Sequence, residues 1–389
     1  MLAAGLAGCD SPIAGSAAPA VRVDRALGGV PLTQAPDVVS EPAARDVAGI
    51  LADIADFWRA GLGSRTPLTG GYTLIDTAAT APTGNPSICA SAREVVSGNA
   101  FYCASEDRIV VDAAALLPVL RDRYGVGGLA ASLAHEFGHA VQARIGPTAE
   151  QRRSAPGRYP QTLLEAQADC AAGAFLQWAV DGHSRRLQLP PGSLAAAVAP
   201  LLDFRDAPGP RTAASGTAHP VHGLSLDRLR FLLRGIRHGP AACSGMTVAD
   251  LRLTLDRAGT GAESGRRFAD LSAVHTAAAV SVATFDRETA VRAADPRDTA
   301  AATPYGQFAQ ATATALATGR GSYPDRAGAA CFTGAWTSAV FGKAGRGELG
   351  SWPGDADEAL ALIRTRPAAT WAELAAFADG FDGGRSACH

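Results

Sequence analysis

His135, Glu136 and His139 stand in the pattern H-E-x-x-H, within the run Ala134-His135-Glu136-Phe137-Gly138-His139. On a helix, residues four apart share a face, so His135 and His139 can both present a ring nitrogen to one metal ion. Glu136 lies one step round that face, close enough to handle a water on the metal without being a ligand itself. A second run, Glu165-Ala166-Gln167-Ala168-Asp169, supplies a carboxylate at Glu165 as the natural third ligand. Three protein ligands leave a fourth position for water. Asp169 follows four residues after Glu165 on the same face, where an aspartate can accept the spare N–H of a ligand histidine and fix its tautomer. The metal such a donor set suits is Zn2+, and the chemistry is hydrolysis, with Glu136 as general base.

Two helices must position these groups. Residues 126–143 read as one, because Leu129, Leu133, Phe137 and Val141 recur at four-residue spacing and form an apolar stripe that leaves the two histidines on another side. Residues 161–180 read as the second, with Leu164, Ala168, Ala171, Phe175 and Trp178 on its apolar side. Ahead of them, Ile109–Val111 reads as a strand, and Arg108–Asp112 is a candidate edge against which an extended peptide could pair. Further along, Ser225 is placed to cap a helix over Leu226–Arg237, and a helical pattern runs through Phe268–Val282.

The chain resembles the neutral zinc metallopeptidase family in four blocks that occur in the family's order. These are Phe101-Tyr102-Cys103 running to Asp112, then Ala134 to Gln142, then Glu165 to Gly173, and His222-Gly223-Leu224-Ser225 with Arg228 and Gly235. The resemblance extends from residue 43 to residue 243. It implies a zincin-like fold in which His135, His139 and Glu165 bind zinc and Glu136 is the base. The His222 block lies where related zinc peptidases place a residue that steadies the tetrahedral intermediate. His222 is therefore a candidate catalytic donor to an oxyanion, and Arg228 a candidate to hold that loop or the site's carboxylates. Against this stands a plain helix start in which His222 serves only a loop carbonyl. His219 is a weaker rival for the same role.

The 389 residues leave room for about two domains. A net charge of −2 with 19% charged residues gives no field to recruit nucleic acid. No apolar run is long enough to span a membrane. Leu6-Ala7-Gly8-Cys9 has the form of a lipobox, which would lipidate Cys9, although no Lys or Arg precedes the apolar stretch. Residues 10–42, rich in Ala, Pro, Val and Ser, then read as a tether holding a folded body off a membrane surface. Setting Cys9 aside, six of the seven cysteines remain: Cys89, Cys103, Cys170, Cys243, Cys331 and Cys388. An even number without a C-x-x-C pair suits three disulfides in an oxidising compartment. Cys89 and Cys103 are expected to close a short loop ahead of the Ile109–Val111 strand.

The second half resembles a worn copy of the first. Ala168-Asp169-Cys170-Ala171-Ala172-Gly173-Ala174-Phe175 matches Ala329-Ala330-Cys331-Phe332-Thr333-Gly334-Ala335-Trp336. Gly235 and Cys243 match Gly380 and Cys388 at the same spacing, and Tyr305-Gly306-Gln307-Phe308 opens an alanine-rich helix. If this is a duplication, Cys170 pairs with Cys243 and Cys331 with Cys388. Ala313, Thr314 and Ala317 would then occupy the places of His135, Glu136 and His139, and Ala330 that of Asp169, so the copy should bind no metal. The plainer alternative is that alanine-rich helices resemble one another by composition.

The expected molecule is mainly α (α+β). It has a lipobox over residues 1–9, a tether over 10–42, a zincin-like domain with a small sheet over 43–243, and a helical degenerate repeat over 244–389. The expected function is extracytoplasmic, lipid-anchored zinc metallopeptidase, with a peptide or protein as substrate. A protein partner on the repeat is a further expectation. Two other readings stay open: a non-catalytic binding lipoprotein that retains a zinc site, and a zinc amidase or esterase acting on envelope material.

Overall fold

A computed structural model describes residues 33–34, 41–65, 68–78, 89, 93–206, 222–254, 268–286, 307–341, 349 and 353–388. Cys9, most of the expected tether, His219 and Tyr305-Gly306 lie outside the described residues. The architecture is mainly helical with one small sheet. Its strands are β1 (Thr33–Gln34), β2 (Gly71–Asp76), β3 (Ala100–Cys103) and β4 (Arg108–Asp112), in the order β1-β2-β4-β3. β2 and β4 run parallel, with Tyr72 opposite Ile109, while β3 and β4 run antiparallel, with Tyr102 opposite Ile109. Ile109, Val110 and Val111 are all buried, as a strand covered on both faces requires. β4 is thus an interior strand with neighbours on both sides, which corrects the expectation that Arg108–Asp112 is an edge. Among the described residues, β3 is the edge strand on the side of the histidines, and its Tyr102 N–H reaches Glu136. β1, two residues long, pairs antiparallel with β2 inside the stretch expected to be tether.

Of the helices, α1 is Glu41–Leu62, α2 Leu116–Ile145, α3 Gln161–Val180, α4 Ala199–Asp203 and α5 Ser225–His238. α2 is broken at Gly125, whose φ of 69° interrupts the helix just before the expected start at Val126. The sharp turn from β4 into α2 is organised by buried Asp112. Its Oδ1 accepts from Thr77 Oγ1 and from the backbone N–H groups of Ala114 and Ala115, and its Oδ2 from Gly98 N. α1 is fixed to the segment after α3 through its own Asp53, which accepts from Ser184 Oγ at 2.5 Å and from the amides of Arg186 and Leu187 at 2.8 Å.

The C-terminal half adds α6 (Leu271–Phe285), α7 (Gln307–Ser322), α8 (Arg326–Ala339), α9 (Pro353–Thr365) and α10 (Trp371–Gly383). α3 and α5 touch backbone to backbone, since a methyl group at Gly173 would overlap the Leu232 carbonyl and one at Gly235 the Cys170 carbonyl. α8 and α10 meet in the same way at Gly334 and Gly380, against the carbonyls of Phe377 and Cys331. Disulfides Cys170–Cys243 and Cys331–Cys388 tie the two pairs, and Cys89–Cys103 ties the loop ahead of β4. One apolar core runs through both halves, joining Leu117, Phe137, Phe175 and Leu232 to Phe332, Trp336, Phe377 and Phe381. No described helix is long and apolar enough to cross a membrane.

Candidate metal centre

The two expected helices lie against each other where Gly138 of α2 faces Ala168 of α3, so close that a Cβ on Gly138 would come within 2.9 Å of the Ala168 Cα. That approach carries His135 and His139 onto Glu165. His135 Nε2 stands 3.2 Å from Glu165 Oε2 and His139 Nε2 stands 3.3 Å from the same oxygen. The loop before α5 adds His222, whose Nε2 is 3.4 Å from Glu165 Oε2. Three imidazoles from two distant parts of the chain converge on one carboxylate oxygen. Ligating atoms of His135, Glu165 and His222 all lie within 4.8 Å of one another.

Behind the ring nitrogens stands a set of acceptors. His135 Nδ1 is 2.7 Å from Asp169 Oδ1, and His139 Nδ1 is 3.0 Å from Gln142 Oε1. Both contacts call for a proton on Nδ1, because a carboxylate and an amide oxygen only accept. The neutral rings then present Nε2 lone pairs to the centre. Asp169 is held in turn by Arg228, whose Nε donates to Oδ2 at 2.9 Å and whose Nη2 donates to Oδ1 at 2.6 Å, with Nη1 on the Phe204 carbonyl. Gln142 is fixed by donating its Nε2 to the Leu164 carbonyl at 2.6 Å. Glu165 Oε1 accepts from Gln161 Nε2 at 2.6 Å, whereas buried Oε2 has no hydrogen-bond donor. With neutral rings, the close Nε2 and Oε2 atoms are all acceptors, and only a shared proton or a cation relieves them. The donor set therefore fits a divalent metal with N and O preference, such as Zn2+.

Electrostatics agree with that geometry. Burial opposes charge on His135, yet Asp169, Glu165 and Glu136 hold its pKa up, to about 10. Burial also opposes charge on Glu165, but His139, His135 and His222 bring it well below the usual carboxylate range. In the metal-free protein the carboxylates thus keep protons on the rings, and a cation takes the protons' place. Burial raises Glu136 above the ordinary range against the opposite pull of His135 and His139. Its Oε2 accepts from the backbone N–H of Tyr102 on β3 at 3.1 Å, and its Oε1 lies 4.0 Å from His135 Nε2.

His135, Glu136, His139, Glu165, Asp169, His222 and Arg228, all named from sequence, come together in this cluster. One role is corrected: Ser225 does not cap α5. Its hydroxyl donates to the Leu202 carbonyl at 2.8 Å, and the first N–H groups of α5 go instead to Asp357 of α9. Four residues were missed. Gln142 and Gln161 were legible in principle, three residues after His139 and four before Glu165, where helical neighbours touch. Asp206, whose Oδ1 lies 3.9 Å from His222 Nδ1, and Asp357, which reaches only the start of α5, carried no such signal, since both arrive across the tertiary fold.

A family model described as "Putative neutral zinc metallopeptidase" matches residues 47–246, just over half of the chain. The chain belongs to this family. No curated protein and no solved structure matches it. Membership in this zinc metallopeptidase family carries zinc and hydrolase chemistry at the level of the family. The match takes in β2 through α5 and the whole cluster around Glu165, and it stops before α6.

Proposed function

We propose that the protein is a zinc-dependent peptidase in which His135, His139 and Glu165 hold the metal and Glu136 is the general base. The observation that carries this reading is the convergence of imidazole Nε2 atoms on the donorless Oε2 of Glu165, with Glu136 beside them. Zinc, when bound, supplies a Lewis acid that makes water nucleophilic near neutral pH and polarises a carbonyl. Glu136 takes the proton of the attacking water on a carboxylate oxygen and returns it to the leaving amine. The backbone N–H of Tyr102 steadies its Oε2 and aims the other oxygen toward the metal side. Asp169 and Arg228 keep the His135 ring oriented, and Gln142 does the same for His139. His222, 30% exposed at its side chain, is the least buried of the three histidines and is free to face a substrate oxyanion or the metal itself. An extended peptide would pair with the edge strand β3 rather than with the interior strand β4.

The deciding experiment is zinc analysis and peptide hydrolysis on wild type and Glu136→Gln. Wild type should carry about one zinc per chain and cleave peptides, and the variant should keep the metal and lose turnover. Zinc retained with hydrolysis undiminished would defeat the assignment of Glu136. Zinc without turnover in wild type would favour the binding-lipoprotein reading.

The same proposal includes export and anchoring through Cys9, supported by the three disulfides. It also includes descent of the C-terminal half from a duplication. Support comes from the paired glycine contacts, the matching disulfides, and left-handed glycines Gly239 and Gly384 that end α5 and α10 alike. Gly319 of α7 faces Ala329 as Gly138 faces Ala168. This register sets Leu316, Ala317 and Arg320, rather than Ala313, Thr314 and Ala317, against His135, Glu136 and His139. The substituted residues offer no metal ligand in either register.

A further inference from the structure

Asp357 belongs to α9, in the half that the family match does not reach, and is buried at 2% exposure. Its Oδ2 accepts from Ser225 N at 3.0 Å and its Oδ1 from Leu226 N at 3.1 Å. These are the first two N–H groups of α5, which have no partner within the helix. The same carboxylate pairs with Arg205 Nε at 3.1 Å. Arg205 Nη1 donates to the carbonyl oxygen of Asp206 at 2.8 Å. Asp206 then grips the His222 loop by three contacts. It accepts from Gly223 N at 2.8 Å, donates its own N–H to the Gly223 carbonyl at 3.0 Å, and sets Oδ1 3.9 Å from His222 Nδ1.

His222 therefore sits between two anchors, and both lead to Asp357. On its C-terminal side, two residues separate it from the capped start of α5. On its N-terminal side of the contact, Asp206 is held by the arginine that Asp357 pairs with. Gly223, at φ 90°, lies between them in a conformation with no side chain to brace it. No nearby side chain takes the Ser225 and Leu226 N–H groups in its place: Ser225 has turned its hydroxyl to Leu202, and Asp227 accepts from Leu224 N with one oxygen and from Thr254 N and Oγ1 with the other. An uncapped first turn frays, and the fraying residues are those that fix the imidazole.

We infer that Asp357 is a positioning residue, through which the C-terminal half holds His222 against the metal centre. The inference rests on the metal reading above, takes the metal-facing role of the two open to His222, and adds a role for the second half: it completes the site of the first. A carboxylate whose only duty is to stabilise the fold would affect all zinc ligands alike. One that acts through His222 affects zinc only while His222 is present.

The test is a double-mutant cycle on full-length protein, with zinc affinity read by competition against a chromophoric chelator. Asp357→Asn and His222→Ala should each weaken zinc by roughly tenfold, as loss of a supporting or weakly ligating group does. The double variant should bind no more weakly than His222→Ala alone. An equal further loss in the His222→Ala background would overturn the inference, as would full affinity in either single variant. Should Asp357→Asn fail to fold, Arg205→Gln cuts the link to Asp206 while leaving the helix capped, and it must show the same dependence on His222. Wild type that takes up no zinc defeats the metal reading itself. That result differs from zinc uptake without coupling, which defeats only the role of Asp357.

Discussion

His135 and His139 each have an acceptor behind the ring, and that arrangement predicts what single changes do. Gln142→Leu removes the oxygen that holds His139 Nδ1–H and strands the Leu164 carbonyl, so zinc affinity should fall by about 10–100-fold with the ligands untouched. Chelator competition measures this directly, and unchanged affinity would mean that His139 is fixed by other contacts. Glu136→Gln should behave in the opposite way, keeping zinc and lowering turnover by on the order of 10²–10⁴-fold or more. Asp169 is more exposed to consequence than its position suggests. It serves both His135 and the buried Arg228, so Asp169→Ala leaves a guanidinium uncompensated in the core. Breaking a buried pair costs about 3–5 kcal/mol. Asp169→Ala should therefore lower stability as well as metal binding, whereas Gln142→Leu should lower mainly the latter.

Among the elements, contacts between backbones set the geometry. Gly173→Ala would drive a methyl group into the Leu232 carbonyl and force α3 from α5, at a cost of about 1–3 kcal/mol or more. Because α3 carries Glu165 and α5 carries Arg228, zinc affinity should fall together with the unfolding midpoint. A stable Gly173→Ala variant would show that the pair can slide apart freely. Acid acts through α1. Burial raises the pKa of Asp53, but Ser184, Leu187 and Arg186 outweigh it, and the folded value lies below the ordinary 3.8. A carboxylate with a lowered folded pKa contributes stability above its unfolded pKa and loses it as pH falls through the folded one. Asp53→Asn should therefore cost about 1–3 kcal/mol near neutral pH. Urea unfolding should show the gap to wild type narrowing below pH of about 3.8. A gap of constant size across that range would assign the stabilisation to shape rather than to charge.

At the scale of the molecule, the two halves share one apolar core and are joined by Asp357, so they are expected to unfold together. Calorimetry should record a single cooperative transition, and two separated transitions would mean that each half is an independent domain. The surface pairs between the halves carry little of this. Arg237 and Asp379 are about 40% exposed, and exposed pairs contribute roughly 0–1 kcal/mol. Asp379→Ala should leave the transition almost unmoved. The family match covers the half that holds the proposed metal ligands, and the core and the α5 cap show that this half is not packed alone.

The sequence by itself determined what depends on spacing along a helix. The H-E-x-x-H pattern, the Glu165 and Asp169 spacing and the apolar stripes placed the candidate ligands on two helices, whose observed bounds, 116–145 and 161–180, contain those read from the sequence. The matching registers of glycine and cysteine likewise anticipated the pairs Cys170–Cys243 and Cys331–Cys388. What the tertiary structure alone decided involves partners far apart in the chain. β4 became an interior strand because β3 folded back onto it, and a run of Ile and Val cannot announce which neighbours it will have. Ser225 lost its expected place as cap to an aspartate 132 positions away. Local chemistry names every residue able to cap a helix or bind a metal, but a hydrogen-bonding group takes the partner that the packing brings within about 3 Å. That distance is set by the whole fold.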